Sequence, residues 1–150
     1  MNPLKLIAQN KKARHDYFLQ ETFEAGIVLK GTEIKSVRAN KVNIKDAYCA
    51  IRGEELFVIG MHIAKYDQGN IFNHDETRTR KLLMHKREIL RLENKIKGQS
   101  LTIIPTKVYL EQGLCKVEIA IAQGKKQYDK RQALKEQDAK RQVERSLKNY

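Results

Sequence analysis

The sequence predicts a mainly β protein, a small antiparallel barrel whose ends are plugged by short helices, and three observations carry that reading. Two hairpins are written into the chain: Ala47 to Ile51 and Leu56 to Ile63 flank Arg52-Gly53-Glu54-Glu55, and Leu101 to Leu110 and Leu114 to Ala122 flank Glu111-Gln112-Gly113. Between Asp16 and Lys30 the residues Tyr17, Leu19 and Glu21 alternate with Phe18, Gln20 and Thr22, the period of a long strand. The succession of strand, helix, hairpin, helix and hairpin has no regular βαβ rhythm, which argues against a parallel sheet. Closing an antiparallel sheet on itself leaves few exposed edges.

Taken in order, the chain begins with a basic stretch (Lys11, Lys12, Arg14) and enters the long strand at Asp16, with Gly26 expected to mark a kink or bulge. In Gly31 to Lys41, Thr32 is a plausible N-cap and Ile34 and Val37 fall three apart, so a short helix is expected. The first hairpin follows, then a polar loop from Tyr66 to His74. From Asp75 the chain leads into an amphipathic helix in which Ile89, Leu92 and Ile96 recur at helical spacing and Gly98 supplies the stop. In the last arm Cys115, Val117, Ile119 and Ile121 face one way, and Lys116 and Glu118 the other. Residues 1–123 are thus read as one domain.

Residues 124–150 are different. They open with GKKQYDKR and hold only Leu134, Val143 and Leu147 as large aliphatics, with nine Lys and Arg against four Asp and Glu. A segment this polar buries too little to offset its ordering entropy, so it is expected to be disordered alone and to fold on an anionic partner. The whole chain is also basic, at +12 over 150 residues. That charge is the footprint of a protein that neutralises phosphates.

Other classes find little support. No apolar run approaches a membrane span and no secretory leader opens the chain, so a cytoplasmic protein with no membrane partner is expected. Cys49 and Cys115 sit in apolar, β-branched surroundings and read as buried free thiols. The four histidines are too scattered for a zinc pattern, and no metal or other cofactor is expected. Neither a phosphate-binding loop nor a nucleophile elbow is present, and the adjacent acids Glu54-Glu55 and Asp75-Glu76 make no catalytic pair. The chain is therefore read as having no enzymatic activity.

The basic clusters point instead to RNA. Arg78, Arg80 and Lys81 precede Leu82-Leu83-Met84-His85, which sets three cations beside apolar groups, as a site that straps a phosphate backbone and packs on unstacked bases requires. The bland alternative is a solvated turn leading to core leucines. His85 either precedes a helix as its cap or stacks on a base. Glu24 and Glu33 stand out in a basic setting: a carboxylate accepts from base amino groups, although a surface ion pair is the plainer role for Glu33. Lys35, Ser36 and Arg38 would add backbone contacts. Tyr17, Phe18 and Phe23 are read as core aromatics rather than stacking platforms.

Three blocks, residues 10–39 (NKKARHDYFLQETFEAGIVLKGTEIKSVRA), 74–89 (HDETRTRKLLMHKREI) and 124–131 (GKKQYDKR), closely resemble the signatures of the SmpB family of bacterial trans-translation. The resemblance runs in order over essentially the whole chain. It implies a closed six-stranded antiparallel barrel, partly similar to the OB fold, with about three short flanking helices. It implies an adaptor that binds the tRNA-like domain of transfer-messenger RNA (tmRNA, or SsrA RNA) and promotes its alanylation. Such a protein travels with alanyl-tmRNA and elongation factor Tu to the A site of ribosomes stalled on messages without a stop codon. By the same resemblance Glu24, Leu83 and His85 match positions for tmRNA binding, with Lys125 and Lys126 adding basic contacts. The tail residues Tyr128, Asp129, Lys130, Arg131, Lys135, Lys140, Arg141 and Arg145 would meet the small-subunit decoding centre and the vacant mRNA channel. Ala139, Val143 and Leu147 permit a narrow apolar helical stripe there. A structural ribosomal protein or an RNA-processing enzyme would also be basic, but neither accounts for all three blocks.

Overall fold

In the computed structural model, which describes residues 4–66 and 73–125, the long alternating stretch is a strand flanked by elements of both kinds. β1 (Lys5–Gln9) leads to α1 (Lys11–Asp16), and β2 (Tyr17–Ile27) to α2 (Gly31–Arg38). After β3 (Val42–Asn43) come β4 (Tyr48–Arg52), β5 (Glu55–Ile59), β6 (His62–Ile63) and β7 (Arg80–Leu83). α3 (Lys86–Ile96), β8 (Thr102–Glu111) and β9 (Leu114–Gly124) complete the described chain.

Both predicted hairpins form, and their turns explain why. Gly53 and Glu54 have φ of +57° and +67°, Gln112 and Gly113 +52° and +78°, so each two-residue loop has positive φ at both central positions. That backbone twists with the strands it joins, and glycine adopts it without steric cost. The tight turns fix register: Ile51 faces Leu56 across the first, and Tyr109 faces Lys116 across the second.

One antiparallel sheet contains seven strands. Its pairings run β8, β4, β5, β7, β2, β9; β9 pairs back onto β8, and β1 adds to the other edge of β8. A separate two-stranded pairing joins β3 to β6. The principal core gathers Val37 of α2, Leu56 and Val58 of β5, Leu82 of β7, Leu92 of α3 and Val117, Ile119 and Ile121 of β9. A smaller cluster, Ala13, Ile104 and Ala122 with Tyr17 and Leu19 against it, lies beneath α1. Ala120 and Ala122 are therefore buried as well as the predicted inward set, and the distal part of β9 is covered on both faces.

Several expectations need correction. The register irregularity in β2 lies between Leu19 and Thr22, not at Gly26; Gly26 lies beside Leu83, where an added Cβ would come within contact distance, 3.4 Å, of that of Leu83. Lys30, not Thr32, is the N-cap of α2: its backbone N–H donates to Glu33 at 2.7 Å, while the Thr32 hydroxyl bonds His74 Nδ1 at 2.9 Å. Phe18 is not a core residue; it is 42% exposed, with the Lys125 ammonium 5.3 Å above its ring. Phe23 packs on the main core, as expected. The two thiols are free and buried, and burial pushes Cys115 up to about 12.

Candidate nucleic-acid interface

Strand alternation sorts the basic cluster of β7 into two opposite faces. Arg80 and Leu82 point inward and are buried, whereas Lys81 and Leu83 point outward. Leu83, at 52% exposed, is the kind of apolar group that an unstacked base could cover. Lys81 is also accessible and pairs at 3.2 Å with Glu55 at the foot of the first hairpin. His85 follows on the same outer side, at the N-cap of α3, with its backbone extended and its side chain exposed and making no capping bond. The break in helical geometry at His85 separates strand from helix and leaves the imidazole projecting.

Arg80 does not belong to this surface. It is 0% exposed, and its guanidinium makes four hydrogen bonds: Nε donates to Glu33, Nη1 to the Met61 carbonyl at 2.6 Å, and Nη2 to the Asp75 and Glu76 carbonyls at 3.3 and 3.2 Å. A cation held by four hydrogen bonds and closed off from solvent inside the protein is out of reach of a phosphate. Glu33 is likewise 0% exposed, so its pair is no surface salt bridge. It also accepts from Arg78 Nη2 at 2.6 Å. Burial pushes the Glu33 carboxyl upward, but donation from Arg78, the Lys30 N–H and Arg80 outweighs it and holds the group below the usual carboxylate range. Arg78 keeps part of its side chain at the surface.

The outward face of β7 continues across β2 and β9. Gly26 pairs with Leu83 on one side and Lys116 on the other, and Glu24 lies two residues along the same face. The Glu24 carboxylate accepts from the Tyr109 hydroxyl at one oxygen and from Lys116 Nζ, 2.9 Å away, at the other. These two donors, Tyr109 first, hold Glu24 below the usual carboxylate range. The sequence reading missed Tyr109 and Lys116 as partners of Glu24. The short turn at Gln112-Gly113, which sets Tyr109 opposite Lys116, was the signal available to find them.

The remaining predicted cations are spread around this face and beyond it. Lys35 and Arg38 are exposed on α2, with the Lys35 ammonium 5.1 Å from the Tyr66 ring. Lys125 follows directly after β9, with its ammonium over the Phe18 ring. Lys126, Tyr128, Asp129, Lys130, Arg131, Lys135, Lys140, Arg141 and Arg145 lie outside the described residues. Among the described residues no group of His, Cys, Asp and Glu is placed to hold a metal ion, and no helix is long and apolar enough to cross a membrane.

Fold and surface together define a small, basic, antiparallel-β protein that presents apolar groups, cations and one held carboxylate on a sheet face. The family model for SmpB protein matches residues 7–149, so the chain belongs to the SmpB family. It is 58% identical over 146 residues to the SsrA-binding protein of Enterococcus hirae, covering 97% of this chain and 95% of that one. The SsrA-binding protein of Geobacillus thermodenitrificans is 54% identical over 144 residues, with 96% and 93% covered. A solved chain described under "tmRNA-SmpB: a journey to the center of the bacterial ribosome" superposes with a TM-score of 0.68 at 43% identity, over 81% of this chain and 85% of that one.

Proposed function

We propose that this protein is a tmRNA-binding adaptor of trans-translation, which joins tmRNA to ribosomes stalled on messages that lack a stop codon. The observation that carries the reading is family membership over nearly the full chain, with relatives named as SsrA-binding proteins and a structural counterpart described with tmRNA and the ribosome. The adaptor is not an enzyme: it promotes alanylation of tmRNA by binding its tRNA-like domain, and is delivered with elongation factor Tu to the A site in the cytoplasm.

Residues 1–123 are the RNA-binding body and 124–150 the ribosome-probing tail. The pairing of β9 back onto β8 supports a closed six-stranded barrel of β8, β4, β5, β7, β2 and β9, partly OB-like, with β1 outside it. Closure gives a rigid face from which side chains meet RNA at fixed spacing. On that face Glu24 reads a base edge, Leu83 and His85 pack against unstacked bases, and Lys81 holds phosphate. Lys35, Arg38, Arg78, Lys125 and Lys126 extend the electrostatic track.

The tail supplies discrimination between stalled and translating ribosomes. A basic segment enters an RNA-lined channel when no mRNA occupies it, and is excluded sterically when one does. Deleting residues 132–150 is expected to leave tmRNA affinity nearly unchanged while abolishing tagging of a stopless message in reconstituted translation. A large loss of tmRNA affinity in the truncated chain would overturn this division of labour.

A further inference from the structure

We infer that Tyr109 and Lys116 are positioning residues, which hold the Glu24 carboxylate in one orientation so that it meets RNA as a fixed acceptor for the N–H edge of an unpaired base. The inference rests on the RNA-binding reading above and assigns to β8 and β9 a part in recognition.

Glu24 sits on an exposed strand position, where a glutamate would ordinarily sample many rotamers. Ordering such a side chain on binding costs entropy, and a protein that has already ordered it binds more tightly. Tyr109 is nearly buried, and its ring is an anchored support rather than a mobile partner. Its hydroxyl donates to Oε2 of Glu24, and Lys116 Nζ reaches Oε1 at 2.9 Å. The same ammonium lies 3.2 Å from Glu111 Oε2, which tethers it from the end of β8. Each Glu24 oxygen thus has one donor from the protein and one lone pair to spare. The side chain is still 51% exposed, so those lone pairs are accessible.

This is the geometry of a prepared acceptor. Two syn lone pairs on a carboxylate match the parallel N1–H and N2–H donors of an unpaired guanine, and one of them suits the amino group of cytosine or adenine. Uracil offers one imino N–H between two carbonyl oxygens, which would face the carboxylate unfavourably. The nearby notch over Gly26, walled by exposed Leu83 and Leu114, gives the base an apolar surface to lie against.

The charges around Glu24 act in opposition. From β8 come Tyr109 and Glu111, and from β9 Lys116 and Glu118, whose Cα pairs with that of Glu24 and whose carboxylate accepts from the Thr106 hydroxyl at 2.6 Å. Burial favours protonation of Glu24, but the Tyr109 and Lys116 donors prevail and hold its carboxyl below the usual carboxylate range. Burial first, then the adjacent carboxylate, pushes the Tyr109 hydroxyl upward, so it remains a donor throughout the working range.

The test is tmRNA binding by the full-length protein and the variants Glu24→Gln, Tyr109→Phe, Lys116→Met and Lys116→Arg, from about pH 7 to about pH 5. Tyr109→Phe and Lys116→Met are each expected to raise Kd about three- to tenfold near neutrality, the cost of ordering one side chain on binding that the parent has already ordered. Lys116→Arg is expected to restore most of the affinity. Removing either donor lets the Glu24 pKa rise towards the ordinary carboxylate value, so further loss of affinity in these variants should be confined to the acid end of the range, and the parent should show none there. In a Glu24→Gln background, Tyr109→Phe should cost little more. Should Tyr109→Phe unfold, Lys116→Met completes the same cycle. Full additivity with Glu24→Gln, or parent-like binding by Tyr109→Phe at every pH, would overturn the inference. Failure of the parent itself to bind tmRNA would instead remove the function on which it rests.

Discussion

Lys81 and Glu24 stand on adjacent strands and are expected to meet RNA through different physics, one by neutralising a phosphate and the other by accepting from a base. Replacing a phosphate-binding lysine releases one fewer set of counterions, so Lys81→Ala should reduce the salt slope of tmRNA binding by about 0.7 to 0.9. Glu24→Ala should weaken binding at every salt concentration and leave the slope as it was. Equal slopes for the two variants, measured across a salt titration, would contradict the assignment. The contrast between Lys81 and its neighbour Arg80 also marks how far the sequence could be read. Period-two alternation required the two to point apart, but nothing local said which faced inward. The partner that draws Arg80 into the core is Glu33, 47 positions earlier, and only the folded chain brings them together. Leu83 and His85 were singled out by the family resemblance, and the fold puts them in the same phase as Lys81, on the outer side.

Elements are tied together by the same buried charges. Glu33 on α2 receives Arg80 from β7 and Arg78 from the turn before it, and Arg80 also bonds the Met61 carbonyl ahead of β6. Breaking a buried pair leaves the other charge uncompensated, so Arg80→Met is expected to cost about 3 to 5 kcal/mol of folding stability. Urea unfolding at neutral pH would measure it, and a cost below about 1 kcal/mol, the range of a surface pair, would contradict the structural role. The sign of the pH dependence follows from Glu33. Its folded pKa lies below the unfolded value, so its contribution is full above the ordinary carboxylate pKa and is lost as pH falls through the folded one. At this scale the hairpins and α3 were readable, because a glycine-containing turn and an apolar stripe are local signals. The strand β1 and the six-residue α1 were not. The first is short and largely exposed, with no alternation of apolar and polar residues, and the second buries only Ala13. The strand β7 was folded into the approach to α3, since its four residues give no period long enough to separate it from the helix.

For the whole molecule, charge and chain order carried the reading furthest. The net charge of +12 and the three motif blocks point to RNA from the sequence alone, and the match over residues 7–149 supports the same family. What composition could not separate was specific from indiscriminate RNA binding, because a basic surface attracts any polyphosphate. In the proposed reading specificity belongs to the face built from β7, β2 and β9, on which Leu83, Gly26, Glu24 and Lys116 are neighbours only after folding. The direct measurement is an electrophoretic shift of tmRNA by the full-length protein at physiological salt, with a large excess of bulk tRNA as competitor. The account predicts a tmRNA complex that survives the competitor. A shift that collapses as tRNA is added would mean that charge alone does the binding, and the adaptor reading would give way to that of a basic ribosomal protein.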